Sequence, residues 1–332
     1  MTRSAPGVII AGTGSYAPSR VVSNDEISTF VDTSDDWIRT RTGIRERRFA
    51  DADETASSMG TKAAEAAMES AGVAASEIDL IIVATLSPDM FFPSTASLIQ
   101  TRLGLNKITS FDLSAACSGF IYGVEVASHM MRSGAFRHAL VIGSEKISTI
   151  LDWEDRSTCV LFGDGAGAVV LSKTEQENIG VIDSYTGNDG SKPDMLCMPG
   201  GGSAIPPTHE SLDQRHHFLK MNGREVFKIA VRWMEQSALI MLERHGLKPE
   251  DISLIIPHQA NLRIIDALAR STKIPKDKFF VNLDRYGNTS AASIPIALHE
   301  ARQKGCIQSG DYVLLVAFGA GLTWGSTLIK WH

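Results

Sequence analysis

The chain reads as an α/β protein made of two βαβαβ halves, and three observations carry that reading. Short apolar runs such as residues 78–84 and 138–143 alternate with longer segments of helical periodicity. The second half then replays the first: Ser76-Glu-Ile-Asp-Leu-Ile-Ile82 matches Pro249-Glu-Asp-Ile-Ser-Leu-Ile-Ile256, Phe111-Asp-Leu113 matches Phe280-Val-Asn-Leu283, and Ala139-Leu-Val-Ile-Gly143 matches Tyr312-Val-Leu-Leu-Val-Ala317. The spacings agree as well, with 36 residues from Ile81 to Cys117 against 33 from Ile255 to Asn288. Such units give mainly parallel sheets covered by helices, with ligands at the strand ends. The boundary falls in the polar Ser172-Lys-Thr-Glu-Gln-Glu-Asn178, which divides the chain into 1–178 and 179–332.

Taken in order, residues 8–19 form a strand and turn. Gly12-Thr-Gly-Ser-Tyr-Ala17 within them imitates a dinucleotide fingerprint, but Pro18-Ser-Arg-Val-Val22 follows where a helix is required. Residues 33–49 set five arginines around Trp37. That is either a solvated face or a place where an adenine ring stacks and phosphates are held. Residues 57–71 make an Ala-rich helix, 78–84 a buried strand, 108–113 another, and 120–131 a buried helix. After the strand 138–143, Gly163-Asp-Gly-Ala-Gly-Ala168 runs straight into Val169-Val-Leu171, so these glycines read as close backbone packing and not as a phosphate loop. Residues 186–219 read as a long surface loop of the lid or binding kind. His216-His217 inside it lack neighbours at metal-ligand spacing.

Composition narrows the function. With 332 residues, 43% hydrophobic and 21% charged, the chain has ample apolar content for a large core. Four cysteines without CxxC spacing argue against a disulfide or zinc framework and for a reducing compartment. No run approaches the ~18 apolar residues of a membrane span, so a cytoplasmic protein is expected. The net charge of -6 offers nucleic acid no general attraction.

The chemistry gathers at strand ends. Ser114-Ala-Ala-Cys-Ser-Gly119 places Cys117 where a strand gives way to a helix, and a helix N-terminus favours the thiolate. An inert core cysteine is the competing reading. Ile255-Ile-Pro-His-Gln-Ala-Asn261 puts His258 at the mouth of a buried strand, and Asn288 occupies the bend that corresponds to that of Cys117. Phe318-Gly-Ala-Gly-Leu-Thr-Trp-Gly325 is rich in small residues, so backbone N–H groups there can approach a ligand and, with that of Cys117, bind a thioester oxyanion. On the helix around residue 228, Arg224, Lys228 and Arg232 form one cationic stripe by their spacing of four; in isolation this is a solvated face.

From residue 8 to the C-terminus the chain resembles the thiolase-fold condensing enzymes, and among them the β-ketoacyl-[acyl-carrier-protein] synthase III family. The resemblance rests on Asp35-Asp-Trp-Ile38, Arg41-Thr-Gly-Ile-Arg45, Ala115-Ala-Cys-Ser-Gly119, Phe162-Gly-Asp-Gly-Ala-Gly-Ala168, His258-Gln-Ala-Asn-Leu-Arg263, Tyr286-Gly-Asn-Thr-Ser290 and Gly321-Leu-Thr-Trp-Gly325. It implies a five-layered αβαβα sandwich and the priming step of fatty acid biosynthesis, a decarboxylative condensation of an acyl-CoA starter with malonyl-acyl carrier protein. It implies Cys117 as acyl acceptor, His258 and Asn288 as the decarboxylation pair, and the N–H groups of Cys117 and Ala320 as oxyanion hole. Trp37, Arg41, Arg156, Asn261 and Arg263 are implied near coenzyme A, and Leu86, Phe92, Ile147 and Phe162 around the acyl chain, with Phe92 reaching into the neighbouring subunit of a homodimer. The resemblance also turns the Arg224, Lys228 and Arg232 stripe into a docking site for the acidic carrier, and implies no metal and no cofactor beyond the CoA thioester. Two departures stand out: the oxyanion donor falls on Ala320 where the family often has glycine, and Leu86 stands where a smaller polar residue is common. A ketosynthase of secondary metabolism shares the triad. A degradative thiolase would need a second cysteine in the final loop, and residues 319–325 have none.

Overall fold

The computed structural model describes residues 6–176 and 178–332, so Glu177, within the expected boundary segment, lies outside the described residues. The strands in chain order are β1 (Gly7–Tyr16), β2 (Arg20–Ser23), β3 (Glu46–Phe49), β4 (Leu80–Ala84), β5 (Thr109–Leu113), β6 (His138–Glu145), β7 (Gly165–Thr174), β8 (Gly180–Asn188), β9 (Leu196–Cys197), β10 (Lys220–Met221), β11 (Ile252–Pro257), β12 (Tyr312–Gly319) and β13 (Thr323–Lys330). Of the two larger sheets one has the order β1-β7-β6-β4-β5 and the other β11-β12-β13-β8, and β2 with β3 and β9 with β10 form two-stranded ladders. Read from its β8 edge, the second repeats the first: β4 lies parallel to β6 as β11 lies parallel to β12, the pairs from β6 to β1 and from β12 to β8 are antiparallel, and β5 adds one further parallel strand beside β4. The counterpart of β5 is reduced to a bridge between Ile255 and Phe279.

Five layers follow from how the helices pack. The helix Ala56–Ala71 covers the outer face of the first sheet, Gly119–Arg132 and Ser293–Gln303 lie between the sheets, and Gly223–Arg244 covers the outer face of the second beside Leu262–Thr272. Buried residues from both halves, among them Ile82, Phe120 and Val141 with Ile256, Leu298 and Leu315, make one central apolar cluster. The first helix is capped by Thr55, whose hydroxyl accepts the Ser58 N–H, and ends on Gly72 at a left-handed φ of 64°. Its alanines let it press on β1 so closely that a Cβ on Gly12 or Gly14 would come within 2.3 Å of the Ala67 or Ala63 carbonyl oxygen. The apparent dinucleotide glycines are therefore a packing surface.

One expectation is refined and another corrected. Both halves bend through a 3₁₀ turn whose first residue has positive φ, Ala116 at 46° and Ser290 at 48°. In that register Cys117 corresponds to Ala291, and Asn288 to Ser114; the two residues stand at corresponding bends but three positions apart in register. The segment 186–219 is also no plain surface loop. It contains a 3₁₀ turn at Pro193–Met195, a small ladder of β9 with β10 and a helix at His209–Asp213, and Asp152, itself buried, holds it down through Arg215 and through Lys220 at 2.8 Å.

Candidate active site

The turn Ala116–Ser118 follows β5 and delivers Cys117, buried, at the start of the helix Gly119–Arg132. His258 follows β11, and its N–H donates to the Val316 carbonyl at 2.8 Å, which ties it to β12. Asn288 is fixed by its own backbone, with its N–H donating to Leu161 O at 2.8 Å and its carbonyl accepting Gly163 N–H at 3.1 Å. Its side-chain oxygen accepts the Ser290 N–H at 2.8 Å, which leaves the amide NH2 for the cavity. All three residues line one cavity of about 940 Å³.

Ala320 lines it as well. Gly319 lies so close that a Cβ there would stand 2.7 Å from the Cys117 amide nitrogen, and the Thr323 hydroxyl bridges the carbonyls of Ala115 at 2.9 Å and Ala320 at 3.0 Å. One side chain thus pins together the loops that carry Cys117 and Ala320. Gly321 at φ 131° explains the glycine that follows Ala320.

Burial works against the thiolate that the helix end favours. Burial pushes the Cys117 thiol up to about 12, with Ser290 opposing and the Glu145 charge adding to the rise. Desolvation of the thiolate outweighs the helix end. Burial pulls the His258 imidazole down to about 4, so the ring is neutral, and its Nδ1 is 2.7 Å from Ser293 Oγ.

Trp37, Arg41, Asn261 and Arg263 line the cavity mouth. The Arg41 guanidinium is 4.5 Å from the Trp37 ring centroid and that of Arg156 5.4 Å; Arg156 stands outside the wall, held by the Asp32 carbonyl at 2.7 Å and carboxylate at 3.1 Å. Asn261 caps the helix Leu262–Thr272 through the Arg263 N–H and donates to the Arg41 carbonyl at 3.2 Å. The five arginines around Trp37 divide: Arg47 is fully buried and donates to Val22 O, Asn24 Oδ1 and Val160 O, while Arg41 serves the mouth.

Of the four residues expected around the acyl chain, Leu86 and Phe162 line the cavity. Ile147 does not: it is wholly buried in the apolar cluster around Leu151 and Val160. Phe92 does not line it either and is 84% exposed. Arg224 and Lys228 reach the rim, Lys228 paired with Glu225 at 2.8 Å, whereas Arg232 lies further along the helix beside Trp233. Sequence reasoning missed the walls given by Leu196, Cys197, Met198, Leu219 and Phe318. Met195-Leu-Cys-Met198, an apolar run inside an otherwise polar stretch, was the available signal.

Comparison with known proteins converges on one family. Residues 111–190 match the model of 3-oxoacyl-[acyl-carrier-protein] synthase III and residues 242–331 that of its C-terminal part. The chain is 52% identical to the β-ketoacyl-[acyl-carrier-protein] synthase III of Caldanaerobacter subterraneus subsp. tengcongensis, over 97% of each chain. It belongs to the β-ketoacyl-[acyl-carrier-protein] synthase III family. Synthase III proteins are acyltransferases, and the thiolase fold expected of them is the one described above. A crystal structure of the Aquifex aeolicus synthase III superposes with a TM-score of 0.91 at 49% identity, covering 98% of this chain and all of that one. The priming β-ketosynthase of the R1128 polyketide pathway gives 0.91 at 36% identity, covering 100% of this chain and 98% of that one. No helix among the described residues of this synthase III is long and apolar enough to cross a membrane.

Proposed function

We propose that this synthase opens fatty acid synthesis by taking an acyl group from acyl-CoA onto Cys117 and condensing it with malonyl-acyl carrier protein, giving β-ketoacyl-carrier, CoA and CO2. The observation that carries the reading is the meeting of Cys117, His258 and Asn288 with the backbone of Ala320 in one cavity whose mouth holds Trp37 and Arg41. Trp37 offers a face for the adenine, and Arg41, Arg156 and Arg263 the cations for its phosphates. Thiolate attack on the thioester builds a tetrahedral oxyanion, for which the N–H groups of Cys117 and Ala320 are donors worth roughly 3 to 4 kcal/mol each. Alanine at 320 suffices because the donor is backbone.

In the second half-reaction the electrons released with CO2 enter an enolate. A neutral His258 and the Asn288 amide donate to its oxygen, and a carboxylate at 288 would repel it. The carbanion then attacks the acyl-enzyme. This chemistry uses only groups of the chain and its two thioester substrates, so no metal or further cofactor enters the reading.

The exposed Phe91 and Phe92, 78% and 84% accessible, support a homodimer in which Phe92 approaches the partner's cavity. Exposed Arg224 and Lys228 at the rim suit an acidic carrier protein, and the free cysteines suit a cytoplasmic setting. The likeness to the R1128 enzyme keeps a polyketide-priming role as the second reading. Intact mass after exposure to acyl-CoAs tests the proposal: a single acyl adduct is expected on Cys117, discharged by malonyl-carrier, and no adduct with any acyl-CoA overturns it. A product made only on a polyketide carrier favours the second reading.

A further inference from the structure

We propose that Asp152 is a positioning residue for the starter acyl group: through Lys220 and Arg215 it holds the cavity wall built by residues 193–221 and so sets which acyl chain lengths the site accepts. The inference rests on the acyl-enzyme reading above and deepens it to starter specificity.

Asp152 lies two residues after Ile150, which lines the cavity, and is itself buried. Lys220 Nζ donates to one carboxylate oxygen at 2.8 Å, Arg215 grips both oxygens, through Nε at 3.2 Å and through Nη2, and the Glu154 N–H donates at 3.1 Å. The Glu154 carboxylate takes the remaining Arg215 nitrogen, Nη1, at 3.0 Å. Hydrogen bonds between ionised partners, and bidentate ones above all, are the strong ones in proteins. Those from Arg215 and Lys220 hold the Asp152 carboxyl well below the usual carboxylate range, so the clasp keeps its charge.

What the clasp holds is the wall. Side chains alternate around β10: Lys220 points to Asp152, while Leu219 before it and Met221 after it line the cavity. Lys220 and Met221 pair with Cys197 and Leu196 of β9, and both of these line the cavity as well. Beside the clasp, the Leu219 N–H donates to the Ile150 carbonyl at 2.9 Å. Among the described residues, Arg215 and Lys220 supply the only side-chain hydrogen bonds from 193–221 to the rest of the chain, and all of them end on Asp152 or Glu154.

None of Asp152, Arg215 and Lys220 lines the cavity, so their effect on a substrate passes through the wall. Dispersion is steep: a gap of about 0.5 to 1 Å forfeits roughly a quarter to a half of each contact. A wall freed by that much loses its hold on the chain that fits and admits a longer one. The clasp is also lopsided in burial, with the Lys220 and Arg215 side chains 37% and 35% exposed against 5% for Asp152. Neutralising the carboxylate therefore lets both cations turn to water, whereas removing both cations would leave a charge buried and unpaired.

The test is kcat and KM with linear acyl-CoAs lengthened one carbon at a time from acetyl to decanoyl, read by CoA release, with intact mass to show the adduct on Cys117. The parent should prefer one length. Asp152→Asn should cut the preference for that length over the next longer one by about tenfold, the lower end of what an apolar pocket draws from one methylene, and more through KM than through kcat. CoA affinity and malonyl-carrier decarboxylation should stay near parental, because Trp37, His258 and Asn288 belong to other segments. Lys220→Met should shift the preference in the same direction, and Lys220→Arg should keep the parental profile. A parental chain-length profile in Asp152→Asn overturns the proposal, and so does an equal loss with every acyl-CoA at unchanged preference, which marks general stability. If Asp152→Asn does not fold, Lys220→Met, which leaves the Arg215 pair in place, decides by the same criteria. Absence of any adduct on the parent would instead remove the acyl-enzyme reading, and this proposal with it.

Discussion

The Ser293 hydroxyl stands 2.7 Å from His258 Nδ1 while accepting the Gln259 N–H at 3.4 Å. Donation of the hydroxyl proton to Nδ1 leaves Nε2 as the protonated nitrogen, the tautomer that the proposed decarboxylation uses. Ser293→Ala should slow malonyl-carrier decarboxylation about tenfold, the worth of one buried hydrogen bond, and leave acylation of Cys117 close to parental. Labelled CO2 release from malonyl-carrier checks this; an unaltered rate would mean the tautomer is set elsewhere.

Two buried groups should write opposite slopes into stability. His258 is lowered from 6.5 to about 4, so it contributes stability above pH 6.5 that is lost as pH falls toward 4. Glu145 is raised from 4.5 to about 7, so its contribution is complete below pH 4.5 and lost as pH rises through 7. Each amounts to an order of 3 kcal/mol and the windows overlap. Measured by urea unfolding, the stability of Glu145→Gln relative to the parent should improve from pH 4.5 to 7, and that of His258→Ala should worsen; flat differences would contradict both shifts.

Trp37 lies beside two guanidinium groups at 4.5 and 5.4 Å. Trp37→Ala should raise the KM for acyl-CoA about tenfold with a smaller change in kcat, from cation–π and stacking energies of 1 to 2 kcal/mol or about that. Calorimetric titration with CoA gives the binding part directly. Equal affinity in the variant would remove Trp37 from the CoA site.

At the rim, Lys228 is already paired with Glu225 at 2.8 Å, and no ion pair is found for Arg224 among the described residues. Arg224→Glu should therefore raise the KM for malonyl-carrier more than Lys228→Glu does, both should flatten its salt dependence, and acylation by acyl-CoA should be spared. Equal loss with both substrates would assign the stripe to general stability.

Much of this architecture is legible in the sequence because it depends on local pattern. The repeated apolar runs mark β4, β6, β11 and β12, and the residues after β5 and β11 mark Cys117 and His258. What escaped depends on contacts between distant segments. Nothing local tells that Asp152 anchors Arg215, or that Ile147 turns into the core while Leu196 and Met198 turn toward the cavity. The Cys117 thiol misled for the same reason: its helix position is visible in sequence, whereas the burial that dominates it comes from loops joined by Thr323.

The back-to-back meeting of the turns at Ala116–Ser118 and Ser290–Ala292 bears on when reactivity arises. Cys117 precedes His258 by 141 residues and Asn288 by 171, so a growing chain exposes the thiol long before its partners exist. The contacts that complete the site close only after both sheets have formed, and contacts of such sequence separation come late and slowly. The donors around the thiol are therefore assembled only when the halves dock, and a chain in which they part has Cys117 without His258 and Asn288.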